Sequence, residues 1–266
     1  MSEPEPSALP LFYSAVEPLD KQRHASLGLV RERLNFSFAA QASAVPLNAA
    51  EFNFALKSYP IVFTSAAEPR PIAILGLQDG QNLFVNPDGS WRQGAYVPLY
   101  VRRYPFIFGT VDAENQFAFC VDTASDMVSE NADLPFFDEN GELSEAGQKG
   151  VETCQIFQQQ HTSTGRVMEK LGASGLLERR EATVAARSGN ERVLGSYVGV
   201  NEERLGAVSD EQFLEFRHND LLPYLYMHLS SLSNWMRLFD LHVQRNLSGE
   251  QAQADAGSGT AGPPGP

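Results

Sequence analysis

Cysteine is scarce in this 266-residue chain: there are two, Cys120 and Cys154. No CxxC pair or Cys/His spacing accompanies them, which argues against a disulfide framework, a zinc site or a catalytic thiol. Both read as small buried hydrophobes in a reducing compartment. Long apolar runs are missing too. Segments such as Pro71 to Leu77 fall far short of the roughly 20 residues a membrane-spanning helix needs, so no membrane insertion is expected. Positive charge is in deficit, with a formal net charge of -13, which opposes phosphate backbones and predicts no nucleic acid partner. The N-terminus, Met1 to Pro6, has neither a charged leader nor an apolar stretch, so a cytoplasmic location is expected.

Catalytic signatures are equally thin. A Walker A loop, GxGxxG and GxSxG are all absent, and Gly195-Ser196-Tyr197-Val198-Gly199 has the wrong spacing for a nucleophile elbow. No carboxylate pair has a privileged claim to glycoside hydrolysis, and the sequence nominates no set of two histidines and one carboxylate as an iron site. The expectation is a non-catalytic protein without cofactor or metal.

What is present is a short-strand and helix pattern. Asn48 and Glu51 form a capping-box variant ahead of Phe52, Ala55, Leu56 and Tyr59 at helical spacing. Ile61 to Thr64, Pro71 to Leu77, Leu83 to Val85, Phe106 to Thr110 and Phe117 to Val121 read as four or five antiparallel strands between Asp-Gly and similar turns. Ser144 caps a helix whose apolar side carries Val151, Cys154, Phe157, Thr164, Val167, Met168 and Leu171. A hairpin over Thr183 to Ala186 and Val193 to Val200 turns at Ser188-Gly189-Asn190. Ser209 begins a second capped helical region, and Leu225, His228, Leu229, Leu232, Trp235, Met236, Phe239 and Val243 form the stripe of a long helix. The expected architecture is α+β, a central antiparallel sheet with flanking helices. Residues 1–10 form a flexible N-terminus, 11–247 a single domain, and 248–266, with no apolar content to offset ordering, a disordered tail.

The most distinctive segment is Trp91 to Phe106, which places Trp91, Tyr96, Tyr100 and Tyr104 among three arginines and two prolines. The next stretch, Tyr104 to Gln148, holds ten carboxylates and no Lys or Arg. If Tyr96 to Tyr104 is extended, Tyr96, Tyr100, Arg102 and Tyr104 share one face and offer aromatic area with a bidentate cation to a sugar, an acidic peptide or a protein. If Pro98 instead opens a short helix closed before Pro105, that face does not exist. A structural alternative pairs Arg102 and Arg103 with the downstream acids. The candidate ligand or partner residues are therefore Trp91, Tyr96, Tyr100, Arg102, Arg103 and Tyr104, with His24, Glu51 and Asp122 as weaker candidates. His24 follows Asp20 by four residues, a spacing at which the carboxylate could orient the ring in a helix. Asp138-Glu139-Asn140-Gly141-Glu142 reads as a solvated turn, because it lacks the length of a calcium loop.

These motifs also carry a family resemblance. Pro18-Leu19-Asp20 with His24, Val45-Pro46-Leu47 with Glu51-Phe52, Tyr59 to Thr64, Ala73 to Leu77, Asn82 to Val85, Tyr96 to Phe106, Leu134 to Asp138, and His228-Leu229-Ser230-Ser231-Leu232 together resemble the bacterial SapC family from about Tyr13 to Leu241. The resemblance implies association with bacterial surface-layer systems and with loci encoding TonB-dependent receptors, cupin-like oxygenases and halogenase-like flavoproteins. It thus implies an adaptor for a surface-ligand uptake or modification system, partnered by a halogenase-like or cupin-like neighbour or by an acidic small ligand. A permease role conflicts with the lack of spanning segments. The alternatives are an enzyme modifying a surface-derived glycan or peptide, and a structural surface-layer component.

Overall fold

A computed structural model describes residues 9–110, 117–185 and 191–258. The strands are β1 (Val16–Pro18), β2 (Leu27–Leu29), β3 (Ala44–Pro46), β4 (Ile61–Phe63), β5 (Pro71–Ile74), β6 (Phe106–Thr110), β7 (Phe117–Asp122), β8 (Val128–Glu130), β9 (Leu134–Pro135), β10 (Leu177–Ala185) and β11 (Glu191–Val200). The helices are α1 (Phe52–Ala55), α2 (Leu99–Arg102), α3 (Glu145–Ala173), α4 (Glu202–Gly206), α5 (Asp210–His218), α6 (Leu222–Ser231) and α7 (Asn234–Ser258).

The fold is α+β with antiparallel pairing, but the strands divide among three sheets. A five-stranded sheet has the order β10-β11-β4-β5-β3, and two three-stranded sheets are ordered β1-β7-β6 and β8-β2-β9. The one central sheet expected from sequence is thus resolved into a principal sheet and two satellites, because β6 and β7 pair with each other and with β1 and not with β4 and β5. Leu83 to Val85 contributes only a bridge from Val85 to Trp91.

Caps named from sequence hold. Ser144 accepts from the Gly147 N–H at the start of α3, Ser209 accepts from the Gln212 N–H at the start of α5, and Glu51 accepts from the Asn48 N–H. The hairpin strands lie as read, longer than expected, while its turn residues 188–190 lie outside the described residues. The long final helix is two helices. Asn234 donates to the carbonyls of Leu56, Tyr59 and Ser231, and this tertiary anchorage fixes the start of α7. The tail expected from Ser248 begins inside α7, and residues 259–266, like 1–8, lie outside the described residues.

Helix α3, 29 residues and about 43 Å long, links the satellite sheets to the principal one. Near its N-terminus Gly150 sits against Phe106, where an added Cβ would come within 2.8 Å of the ring. Absence of a side chain there lets the helix close on a cluster of Phe106, Val121, Phe136 and Cys154. Farther along, Phe157, Met168 and Leu171 join the main core with Phe52, Tyr59, Ile61, Phe84 and Leu225. Both cysteines are free and buried, and burial raises both thiol pKa values, Cys154 to about 12. Among the described residues no helix is long and apolar enough to cross a membrane.

The principal sheet is completed by a side chain. Strands β4 and β11 share one register pair, Val198 with Phe63. Beyond it the fully buried His228 of α6 takes the place of a rung: its Nδ1 lies 2.7 Å from the Ile61 carbonyl, and the Val200 N–H donates to Nε2 at 3.0 Å. A backbone N–H on Nε2 and a carbonyl on Nδ1 require the neutral Nδ1–H tautomer. Burial pushes the His228 pKa down to about 4, so the ring stays neutral at physiological pH. Ser231, one turn on, accepts from the Ile61 N–H at 2.9 Å and donates to the His228 carbonyl. The His228 to Leu232 motif therefore fastens helix to sheet.

Candidate functional site: an arginine-floored groove

Pro98 ends an extended approach, and the next residues turn into α2. The helical alternative for Tyr96 to Tyr104 is the one the protein adopts, and the alternating face of an extended segment is absent. Helical spacing sends Tyr100 and Arg103 inward, 5% and 7% exposed, and leaves Arg102 outside. The arginines thus separate into two environments.

Arg102 donates to the Tyr96 hydroxyl at 2.9 Å, and that hydroxyl donates to Glu51 Oε1 at 3.0 Å. Glu51 is buried and also accepts from the Leu99 N–H at 2.7 Å. Burial raises its pKa, outweighing the backbone donors, Tyr96 and Arg102, which all act the other way. This chain of contacts pins α2 to α1. It pairs Arg102 with an upstream acid through a tyrosine, not with the acidic block after Tyr104. Among the described residues no ion pair joins Arg102 or Arg103 to that block. Its members bond to main-chain N–H groups instead, as where Asp133 accepts from the distant Arg31 N–H and Asp138 accepts from the amides of Asn140 and Glu142 in an exposed turn. Asp112 and Glu114 lie outside the described residues.

Arg103 is different. Its guanidinium carbon lies 4.0 Å from the Phe157 ring centroid, 4.3 Å from Tyr100 and 5.7 Å from Tyr13. Its Nε is buried without an acceptor. Cation–π contact in a desolvated site returns about 2 kcal/mol, less than the several kcal/mol that removing a cation from water costs. A negative partner is the missing compensation among the described residues.

The space beside Arg103 is a groove of about 910 Å³. One wall is α3, where Phe157, His161, Thr164 and Met168 follow helical spacing; the other is the Thr64 to Ile72 segment joining β4 to β5, with Pro46 and Leu47 beneath. His161 stacks on Phe157 with centroids 5.7 Å apart. Burial, and then the charges of Arg103 and Arg70, lower its pKa, so the imidazole is neutral at pH 7. Arg70, Glu68 and Glu169 are exposed along the lip.

Of the candidate residues, Tyr100 and Arg103 meet in this groove. Trp91 is instead in the core, donating from Nε1 to the Tyr59 hydroxyl at 3.0 Å, and Tyr59 donates to the Tyr96 carbonyl. Tyr104 stacks on Phe38 and donates to Asp122 on the side of a separate depression of about 580 Å³. Asp122 is fully buried and accepts from the N–H groups of Ser14, Ala15 and Ala124, closing the chain onto β7. His24 is buried with Nδ1 accepting from the Asp20 backbone N–H, while the Asp20 carboxylate accepts from Gln22 and Arg23. The spacing of Asp20 and His24 thus works through a turn and the main chain, not through the carboxylate. Sequence reasoning missed Arg70, Phe157 and His161 as site residues. The available signal was a histidine occupying the α3 stripe between Phe157 and Thr164.

Of the segments that carry the family resemblance, Val45-Pro46-Leu47, Tyr59 to Thr64 and Tyr96 to Phe106 supply groove residues, whereas the α3 wall lies outside them. A family model described as SapC matches residues 19–238. The chain belongs to the SapC family. Comparison with curated proteins and with solved structures returns no match. Within this SapC chain the matched region contains α2, α3 and both walls of the groove, apart from Pro10 at its edge.

Proposed function

We propose that this SapC protein is a cytoplasmic, non-catalytic binding or adaptor protein that holds an acidic ligand, or an acidic segment of a protein partner, in the groove between α3 and the β4–β5 connection. It serves a bacterial surface-ligand uptake or modification system, with a halogenase-like or cupin-like oxygenase as the protein neighbour implied by the family. One observation carries the reading: Arg103 is buried beside an open groove with its Nε unpartnered and no carboxylate paired to it among the described residues. A buried cation is retained where a counter-charge arrives. Relative to the sequence expectation, the binding surface moves from the outer face of Trp91 to Phe106 to the inner face of α2.

The test is native affinity capture followed by mass spectrometry, with wild type beside Arg103→Gln and Arg70→Ala. A ligand or partner retained in stoichiometric amount by wild type and lost from either folded variant supports the reading. Equal retention by all three defeats it. Arg70 is exposed, so its truncation tests the site even if Arg103→Gln does not fold.

A further inference from the structure

The wall chemistry narrows the ligand. Two aromatic ring centroids lie within 4.3 Å of the Arg103 guanidinium carbon, and on the Nε edge of the group no acceptor is present among the described residues. An acceptor meeting that edge in its plane is best supplied by a carboxylate, which is flat and matches two parallel N–H bonds. The charge balance points the same way. With His161 neutral, Arg70 and Arg103 are matched in number by Glu68 and Glu169 at the lip, so the lining carries no net formal charge and its one buried cation, Arg103, suits a single negative charge. A phosphate group carrying about -1.5 to -2 would bring surplus charge toward the two glutamates.

Beyond the arginine, Pro46, Leu47, Pro71, Ile72, Phe157 and Met168 supply the apolar part of a lining that also carries polar side chains such as Gln158 and Thr164. The groove volume, about 910 Å³, is in the range that encloses a small molecule. Gly165 adds room, since a Cβ placed there meets nothing within 4 Å. We infer that the groove binds a small monocarboxylate on an apolar body, with its carboxylate on Arg103 and its body lying along α3 past Gly165 toward Met168. This rests on the reading of the groove as an acid-binding site and assigns that site its ligand class.

Decanoate, decan-1-ol and decyl phosphate, each below its aggregation threshold, are titrated into the full chain by calorimetry with amide chemical-shift mapping. Decanoate is expected to bind at least tenfold more tightly than either of the others, with shifts along Phe157 to Met168. In Arg103→Gln the preference of decanoate over decanol collapses. Gly165→Leu fills the groove from an exposed helical position where leucine is the better helix former, so its thermal midpoint holds or rises while decanoate affinity falls at least tenfold. Equal binding of decanoate and decanol by wild type overturns the inference, as does tighter binding of decyl phosphate or undiminished decanoate binding by Gly165→Leu. These tests do not require Arg103→Gln to fold. If decanoate fails to bind while an acidic partner is captured in a manner blocked by Gly165→Leu, the ligand class is wrong and the site stands. If neither binds, both readings fall.

Discussion

The His228 bridge sets how this protein responds to acid. Its imidazole can hold Ile61 and Val200 together only while neutral, because protonation would place a second N–H against the Val200 donor. The folded-state pKa, about 4, lies below the ordinary value of 6.5, so the unfolded chain binds the proton first as pH falls. The contribution is therefore fully present above about pH 6.5 and is lost progressively from there down to about pH 4. At roughly 1.4 kcal/mol per pH unit, the stability at stake is on the order of 3 kcal/mol. Replacing His228 by Leu removes the titration and strands the Ile61 carbonyl and the Val200 N–H, costing about 1–3 kcal/mol for each group. Gln can donate with one end and accept with the other, so His228→Gln is expected to be milder. The assay is urea unfolding followed by tryptophan fluorescence at steps from pH 7.5 to 4.5, for wild type and both variants. Subtracting the variant curve removes the carboxylate contribution common to all three. A difference curve flat across that interval would refute the reasoning, as would a folded His228→Leu within 0.5 kcal/mol, about the error of additivity, of wild type at pH 7.5.

Three further outcomes are expected. Gly150→Val forces a side chain into the Phe106 ring and should lower stability by about 1–3 kcal/mol in the same unfolding assay, whereas Gly165→Leu should not. Glu51→Ala leaves the Leu99 and Asn48 N–H groups and the Tyr96 hydroxyl without their acceptor, a loss of about 3 kcal/mol or more, while Arg102→Ala at the exposed end should stay within about 0.5 kcal/mol; a reversed order would show that Arg102 and not Glu51 anchors α2. Cys120 and Cys154 should resist a thiol reagent in the native protein at pH 8 and react fully in denaturant, since both are buried with raised pKa values; rapid native labelling of either would contradict the packing around α3.

Much of the fold could be read from local chemistry. The Ser144 and Ser209 caps, the α3 stripe, the short strands at Ile61, Pro71, Phe106 and Phe117, and the hairpin into Val200 all depend on neighbours within one or two turns. The partition of strands among three sheets could not, since strand pairing is settled by contacts distant in sequence. The break after Ser231 escaped for the same reason: Asn234 anchors α7 on carbonyls near position 57, and no local residue announces that.

For the site, residue types were legible before their directions. An arginine and aromatic block without a catalytic motif marked the stretch near position 100, yet the block allowed either a period of two or a period of 3.6. Pro98 permits both, and burial of Leu99, Tyr100 and Val101 against the core is what selects the helix. That selection puts Arg103 inside and Arg102 outside. The sequence alone determined that the protein carries guanidinium and aromatic groups at adjacent positions, because composition and spacing are written in the chain. Only the tertiary structure decided which guanidinium lies without a counter-charge among the described residues, because that depends on α3 bringing Phe157 and His161 alongside from more than fifty residues away.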